Sequence, residues 1–235
     1  MRVTLSFKTI GCFLMLFSLS SPPALAQQLP DSAFLRQNLH DELGPDSRLY
    51  NGYEYIRNGT PAKGFPFFES DSLQKAALSY DGILYRDIPL EYDLVLDKVI
   101  IRDYTGKSLI SLISEKVDDF SFGTRHFRYI IAIDNPGFYE VLLSSGPITL
   151  LARREKKLNF PSNREDQARY DQRNSYYLRI GNNFYQVDGK TALLDALKDK
   201  KDALKKFISA NKLHFKKQLE TSLTRTTAYY THLSH

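Results

Sequence analysis

The 235-residue chain has one cysteine, two methionines and no tryptophan. The cysteine, Cys12, lies in an apolar N-terminal stretch with the marks of an export leader. Without that leader the chain holds no thiol. This excludes disulfides, cysteine nucleophiles, zinc–thiolate sites and iron–sulfur clusters together. The five histidines include no HExxH pattern, so no metal site is expected. No G-x-S-x-G, P-loop or G-x-G-x-x-G run occurs, and no cofactor is expected. Motifs therefore assign no reaction.

Long apolar runs are also scarce. Ile10 to Leu19 is the h-region of a signal peptide, too short to span about 30 Å of hydrocarbon. Arg2 and Lys8 precede it, Pro22 and Pro23 break it, and Ala24-Leu25-Ala26 forms a small-x-small cleavage site. Residues 1–26 read as the leader; a membrane anchor and a lipoprotein lipidated at Cys12 are the alternatives. The expected mature chain starts at Gln27 and has no transmembrane helix. A thiol-free exported chain fits a Gram-negative cell envelope, either periplasmic or outer-membrane associated.

Charge is unevenly spread. Residues 27–150 carry 12 Lys+Arg against 18 Asp+Glu, and residues 151–235 carry 18 against 9. The basic excess thus belongs to the C-terminal third, where it would meet an envelope protein or an anionic surface. Export argues against nucleic acid as the partner.

What is present is mostly strand-like. Leu78 to Tyr85 reads as a strand, Arg86-Asp87-Ile88-Pro89 as a turn, and Leu90 to Leu96 as a strand ended by Asp97-Lys98. Short runs rich in Ile, Val, Tyr and Phe follow to Leu151, separated by Tyr104-Thr105-Gly106, Gly123, Asn135-Pro136-Gly137 and Gly146-Pro147. No helical crossover fits between them, so the sheet should be antiparallel. Residues 153–173 are charged and read as a loop. Ser175 to Ile180 and Phe184 to Val187 read as a hairpin turning at Gly181-Asn182.

The end of the chain is helical. Leu193, Leu194 and Leu197 form one stripe, and Leu204, Phe207 and Ile208 form a second, with Asp199 and Asp202 as its capping pair. Leu219, Leu223, Thr226 and Tyr230 form a third. The fold expected is α+β: a mainly antiparallel sheet of seven to nine strands, with C-terminal helices packed on or beside it. Residues 27–77 form an N-terminal segment of the main domain, 78–189 its β-rich body, and 190–235 a basic helical segment.

Three sets of residues are candidates for chemistry. Glu91, Asp93 and Asp97 should share one strand face, opposite Tyr92 and Leu94. That face is either solvated or, as in a hydrolase, a pair of working carboxylates. Tyr50, Tyr53, Tyr55, Tyr176 and Tyr177 either fill a core or offer a surface for a hydrophobic ligand. Lys201, Lys205, Lys206 and Lys212 concentrate charge for a partner.

Tyr176-Tyr177, Phe184-Tyr185, Val187, Lys200-Lys201, Phe207-Ile208, Asn211-Lys212-Leu213 and Tyr229-Tyr230 carry a resemblance, together with Tyr80-Asp81-Gly82, Glu91-Tyr92-Asp93 and Gly137-Phe138-Tyr139. The pattern resembles uncharacterised secreted or envelope proteins of Bacteroidetes-type Gram-negative bacteria, over about residues 78–232. The resemblance implies an exported envelope protein and supplies no catalytic residues. The function expected is that of a non-catalytic binding or scaffold protein. The alternatives are a periplasmic carrier of lipid or another hydrophobic ligand, and a hydrolase using the acidic strand face.

Overall fold

A computed structural model describes residues 46–162 and 167–233. The expected leader, its cleavage site and a short helix expected to open at Asp31 lie outside these residues. The described residues form twelve strands: β1 (Gly52–Glu54), β2 (Ala62–Lys63), β3 (Gln74–Tyr80), β4 (Ile83–Asp93), β5 (Lys98–Arg102), β6 (Leu109–Leu112), β7 (Val117–Phe122), β8 (Arg125–Ile130), β9 (Gly137–Ser145), β10 (Ile148–Asn159), β11 (Ala168–Ile180) and β12 (Asn183–Gln186). Three helices follow: α1 (Lys190–Ala196), α2 (Lys201–Ala210) and α3 (Leu219–Leu233).

The strands run β1-β6-β5-β4-β3-β7-β8-β9-β10-β11-β12 across one sheet. Only β2, beside β11, is parallel to its neighbour. The α+β class, mainly antiparallel with C-terminal helices, is thus observed. The strand count exceeds the seven to nine expected, for two local reasons. Leu78 to Tyr85 is not one strand: Asp81 and Gly82 both take positive φ, 53° and 74°, and make a two-residue hairpin turn. Residues 153–159 and 168–173, expected within a loop over 153–173, are strand. β10 and β11 pair in unbroken register from Ile148↔Ile180 to Asn159↔Arg169. Arg153 and Arg154 are both buried there, each beside carboxylates, so the segment's charge disguised a strand. Arg86 to Pro89, expected as a turn, lies within β4. Asp87 at φ 55° accompanies a register shift opposite Ala76–Leu78, so the extra residue is taken up as a bulge.

Register shows which side chains share a face. Leu78 lies opposite Phe120, Phe120 opposite Phe127, Phe127 opposite Glu140, Glu140 opposite Ala152 and Ala152 opposite Tyr176. This covered face carries two cores. The first is aromatic: the ring of Tyr92 on β4 lies 5.2, 5.3 and 5.6 Å from those of Phe120, Phe127 and Phe138. Each such edge-to-face pair adds about 0.5–1.5 kcal/mol beyond the area it buries. β4 and β9 are four places apart in the sheet, so the sheet must curl for these rings to meet. The β4–β5 turn completes the approach, with Leu94 O accepting from Lys156 N on β10 at 3.0 Å.

The second core lies under the helices. Leu150, Leu178 and Val187 of the sheet side pack with Leu193, Leu197, Leu204 and Leu223, all fully buried. Each of these leucines contributes about 1.5–3 kcal/mol by leaving water. The docking expected of the three stripes is therefore observed. The capping pair is not: α2 has no side-chain cap, and Asp199 instead accepts from Tyr230 Oη of α3 at 3.2 Å. A capping carboxylate must reach a free N–H of the first turn; Asp199 is drawn to the neighbouring helix instead.

Candidate functional site

The acidic strand lies where alternation puts it, with Glu91 and Asp93 on one side of β4 and Tyr92 on the other. The face is not solvated, however. Both carboxylates are 2% exposed, because the chain from Tyr55 to Phe67 passes over them. Arg57 Nη2 is 2.6 Å from each oxygen of Glu91. Tyr55 Oη donates to Asp93 Oδ2 at 2.7 Å, and the amides of Val95 and Leu96 donate to Oδ1 at 2.8 and 3.0 Å. All four oxygens are thereby bonded. Burial, reinforced by Asp93, raises the Tyr55 pKa far above the ordinary phenol value. Asp97 stands apart, on the β4–β5 turn at φ 55°. It accepts from Tyr92 Oη at 2.6 Å and lies 2.9 Å from Arg153 Nη2. Arg153 also donates to Phe138 O at 2.9 Å, and its guanidinium lies 5.3 Å from the Tyr139 ring centroid. Burial pushes the Tyr139 phenol up to about 12, against the pull of Arg153.

A charged seam separates the two cores. Arg154 Nε donates to Glu140 Oε2 at 2.7 Å, and Arg125 binds the same carboxylate through Nε and Nη2. Arg125 Nη1 reaches Glu69 at 2.8 Å, and Arg154 Nη1 reaches Glu220 of α3 at 2.6 Å. Tyr176 Oη also donates to Glu220, at 3.0 Å. Burial works against the charge on Glu220, but the hydrogen bonds from Arg154 and Tyr176 and the Arg154 charge outweigh it and lower its pKa. The seam joins the segment before β3, the sheet and the last helix. Its partners are mutual, so its role is structural. Sequence reasoning missed it because its five charges lie far apart along the chain.

The opposite face of the sheet is open over β8 to β12. A groove of about 460 Å³ lies there, within the range of small-ligand sites. Val141 gives it an apolar floor, with its cross-strand partner Leu151, 1% exposed, directly beneath. Ile130, Ile131 and Phe184 add apolar walls, and Ile131 is 73% exposed. Arg128, Arg179 and His126 also line it, and none of its described lining residues is acidic. Asp119 on β7 is the cross-strand partner of Arg128, whereas Arg179 stands opposite Thr149 and Phe184 and its Nε donates to Gly181 O at 2.9 Å.

The tyrosines named from sequence do not form one surface. Tyr55 and Tyr176 are buried in the contacts above, Tyr50 meets Tyr104 edge-on, and Tyr177 meets Tyr139. Tyr53 is 70% exposed. The lysines lie on α2 and just beyond it: Lys201 pairs with Asp195 at 2.6 Å and Lys205 with Asp202 at 3.6 Å, while Lys206 and Lys212 are exposed. Among the described residues, no group of three His, Cys, Asp or Glu converges as metal ligands. Nor, among them, is any helix long and apolar enough to cross a membrane. Compared with models of protein families, with curated proteins and with solved structures, the chain matches none.

Proposed function

We propose that this is an exported cell-envelope protein that acts by binding rather than by catalysis, with the open-face groove as its binding site. The observation that supports this reading best is the contrast between the buried carboxylates and the groove. The carboxylates of Glu91, Asp93 and Glu140 are engaged by neighbours, whereas the groove offers apolar floor and cations with no acidic residue in its described lining. The carrier reading, a periplasmic protein for lipid or another hydrophobic ligand, is the form that the groove's apolar floor favours.

Two measurements test the proposal. Cell fractionation with N-terminal sequencing should find a chain beginning at Gln27 in the periplasm or outer membrane; a full-length cytosolic product would overturn the export reading. The neutral dye N-phenyl-1-naphthylamine should brighten on the purified protein and lose that signal in Ile131→Glu. Turnover of sugars or esters that is lost in Asp93→Asn would instead establish the hydrolase.

A further inference from the structure

We infer that the groove takes a single-chain amphiphile with an oxyanion head, its head at Arg179 and its alkyl chain over Val141 and Leu151. The inference rests on the binding reading above and names the ligand class.

The argument comes from register. Thr149 on β10 is the cross-strand partner of both Arg179 on β11 and Ser144 on β9. The three side chains therefore stand in one row across three strands on the open face, about 5 Å apart from strand to strand. Asn182 of the following turn lines the same end of the groove. The row presents a guanidinium and two hydroxyls, with the Asn182 amide nearby and the Phe184 ring, Arg179's partner on β12, at its outer end. Arg179 is oriented by its Nε bond to Gly181 O, which leaves its two terminal nitrogens directed elsewhere. A planar guanidinium beside hydroxyl donors matches a carboxylate or phosphate.

The next row along the strands is apolar. Val141 and Leu151 are partners there, a bulge at Leu150–Leu151 having kept both on the open face. Ile130 and Ile131 add further apolar surface past the Arg128–Tyr139 pair. A polar row followed by an apolar track is the pattern of a head group and a chain. Arg128 and His126 flank the track on β8; Asp119 on β7 offsets the Arg128 charge, so the preference for an anion over a cation rests on Arg179.

The test is calorimetric titration of the mature protein below the micelle concentration, with dodecanoate and dodecyl phosphate as probes. Dodecanol and dodecyltrimethylammonium are the controls. One-to-one binding of either anion, at least about tenfold tighter than dodecanol, is expected. Arg179→Gln should remove that advantage without changing dodecanol binding, and Arg179→Lys should restore part of it. Near-ultraviolet circular dichroism confirms that both variants fold. Equal affinity for dodecanoate and dodecyltrimethylammonium would overturn the inference. So would an unaltered anion preference in Arg179→Gln, or binding only to phosphatidylglycerol vesicles and to no monomer. If the neutral dye still binds in an Ile131-dependent way, these results remove the ligand class and leave the groove as a binding site. If the dye fails too, both readings fall.

Discussion

Arg154 and Glu140 form an ion pair in the interior of the sheet, 2.6 Å apart, with side chains 4% and 3% exposed. Water is largely excluded from both, although Arg154 also reaches Glu220 and Glu140 also binds Arg125. Removing one partner of a buried pair costs about 3–5 kcal/mol when the other is left uncompensated. Glu140 is the carboxylate that both arginines share, so Glu140→Ala should lower unfolding free energy by up to about that amount in urea titrations. Glu69→Ala, which removes the exposed end of the same seam, should cost about 1 kcal/mol or less. Equal effects would show that the seam does not work as described.

Glu220 makes stability depend on acid pH. Its folded pKa is depressed below the ordinary glutamate value of about 4.3. A depressed carboxylate contributes stability above its unfolded pKa and loses that contribution as pH falls through the folded value. The melting-temperature gap between wild type and Glu220→Gln should thus be constant at neutral pH and shrink below about pH 4.3. A gap that widens on acidification would contradict the assignment.

Gly137 opens β9 at φ 152°, and a Cβ there would run into Arg153 Nη1 and the Asp97 carboxylate. Backbone conformation and space both argue against any side chain. Gly137→Ala should cost about 2 kcal/mol or more, measured by thermal unfolding, since the clash disturbs a buried ion pair as well as the backbone. Gly123→Ala meets no atom within 4 Å and carries the φ penalty alone, so it should cost less.

Tyr55→Phe leaves Asp93 Oδ2 without its donor. Loss of a hydrogen bond to a charged group costs about 1.5–3 kcal/mol; Tyr53→Phe, at an exposed site, should be neutral. The raised pKa of Tyr55 adds an alkaline signature. A phenol whose folded pKa exceeds its unfolded value stabilises the fold fully below about pH 10 and loses that contribution as pH rises further. Phenolate absorbance should report Tyr55 ionising only with unfolding, and a Tyr55→Phe difference spectrum showing normal titration would refute this.

Much of the sheet was legible because its punctuation is local. Gly106, Gly123 and Gly146 mark turns whose positive φ the structure confirms, and the Leu stripes of α1 to α3 dock as their spacing implies. The alternation around Glu91-Tyr92-Asp93 also gave the correct faces. It could not give their burial, because the covering segment from Tyr55 to Phe67 comes from elsewhere in the chain. The Asp81-Gly82 turn was overlooked because apolar residues on both sides made one continuous run. The outer half of β10, beyond Leu151, was hidden for the opposite reason: it is nearly all charge, and only the distant partners Asp97, Glu140 and Glu220 make its two arginines tolerable. The groove is a product of register, and single-strand pattern reading carries no register.

Glu69 precedes the main run of strands, and Glu220 sits in α3, yet each anchors one of the two arginines that share Glu140. A chain delivered from its N-terminus must hold Arg154 only half-neutralised until α3 arrives. Removing α3 would strip a counter-charge from the heart of the molecule, so a docked α3 and a sealed interior become one and the same condition.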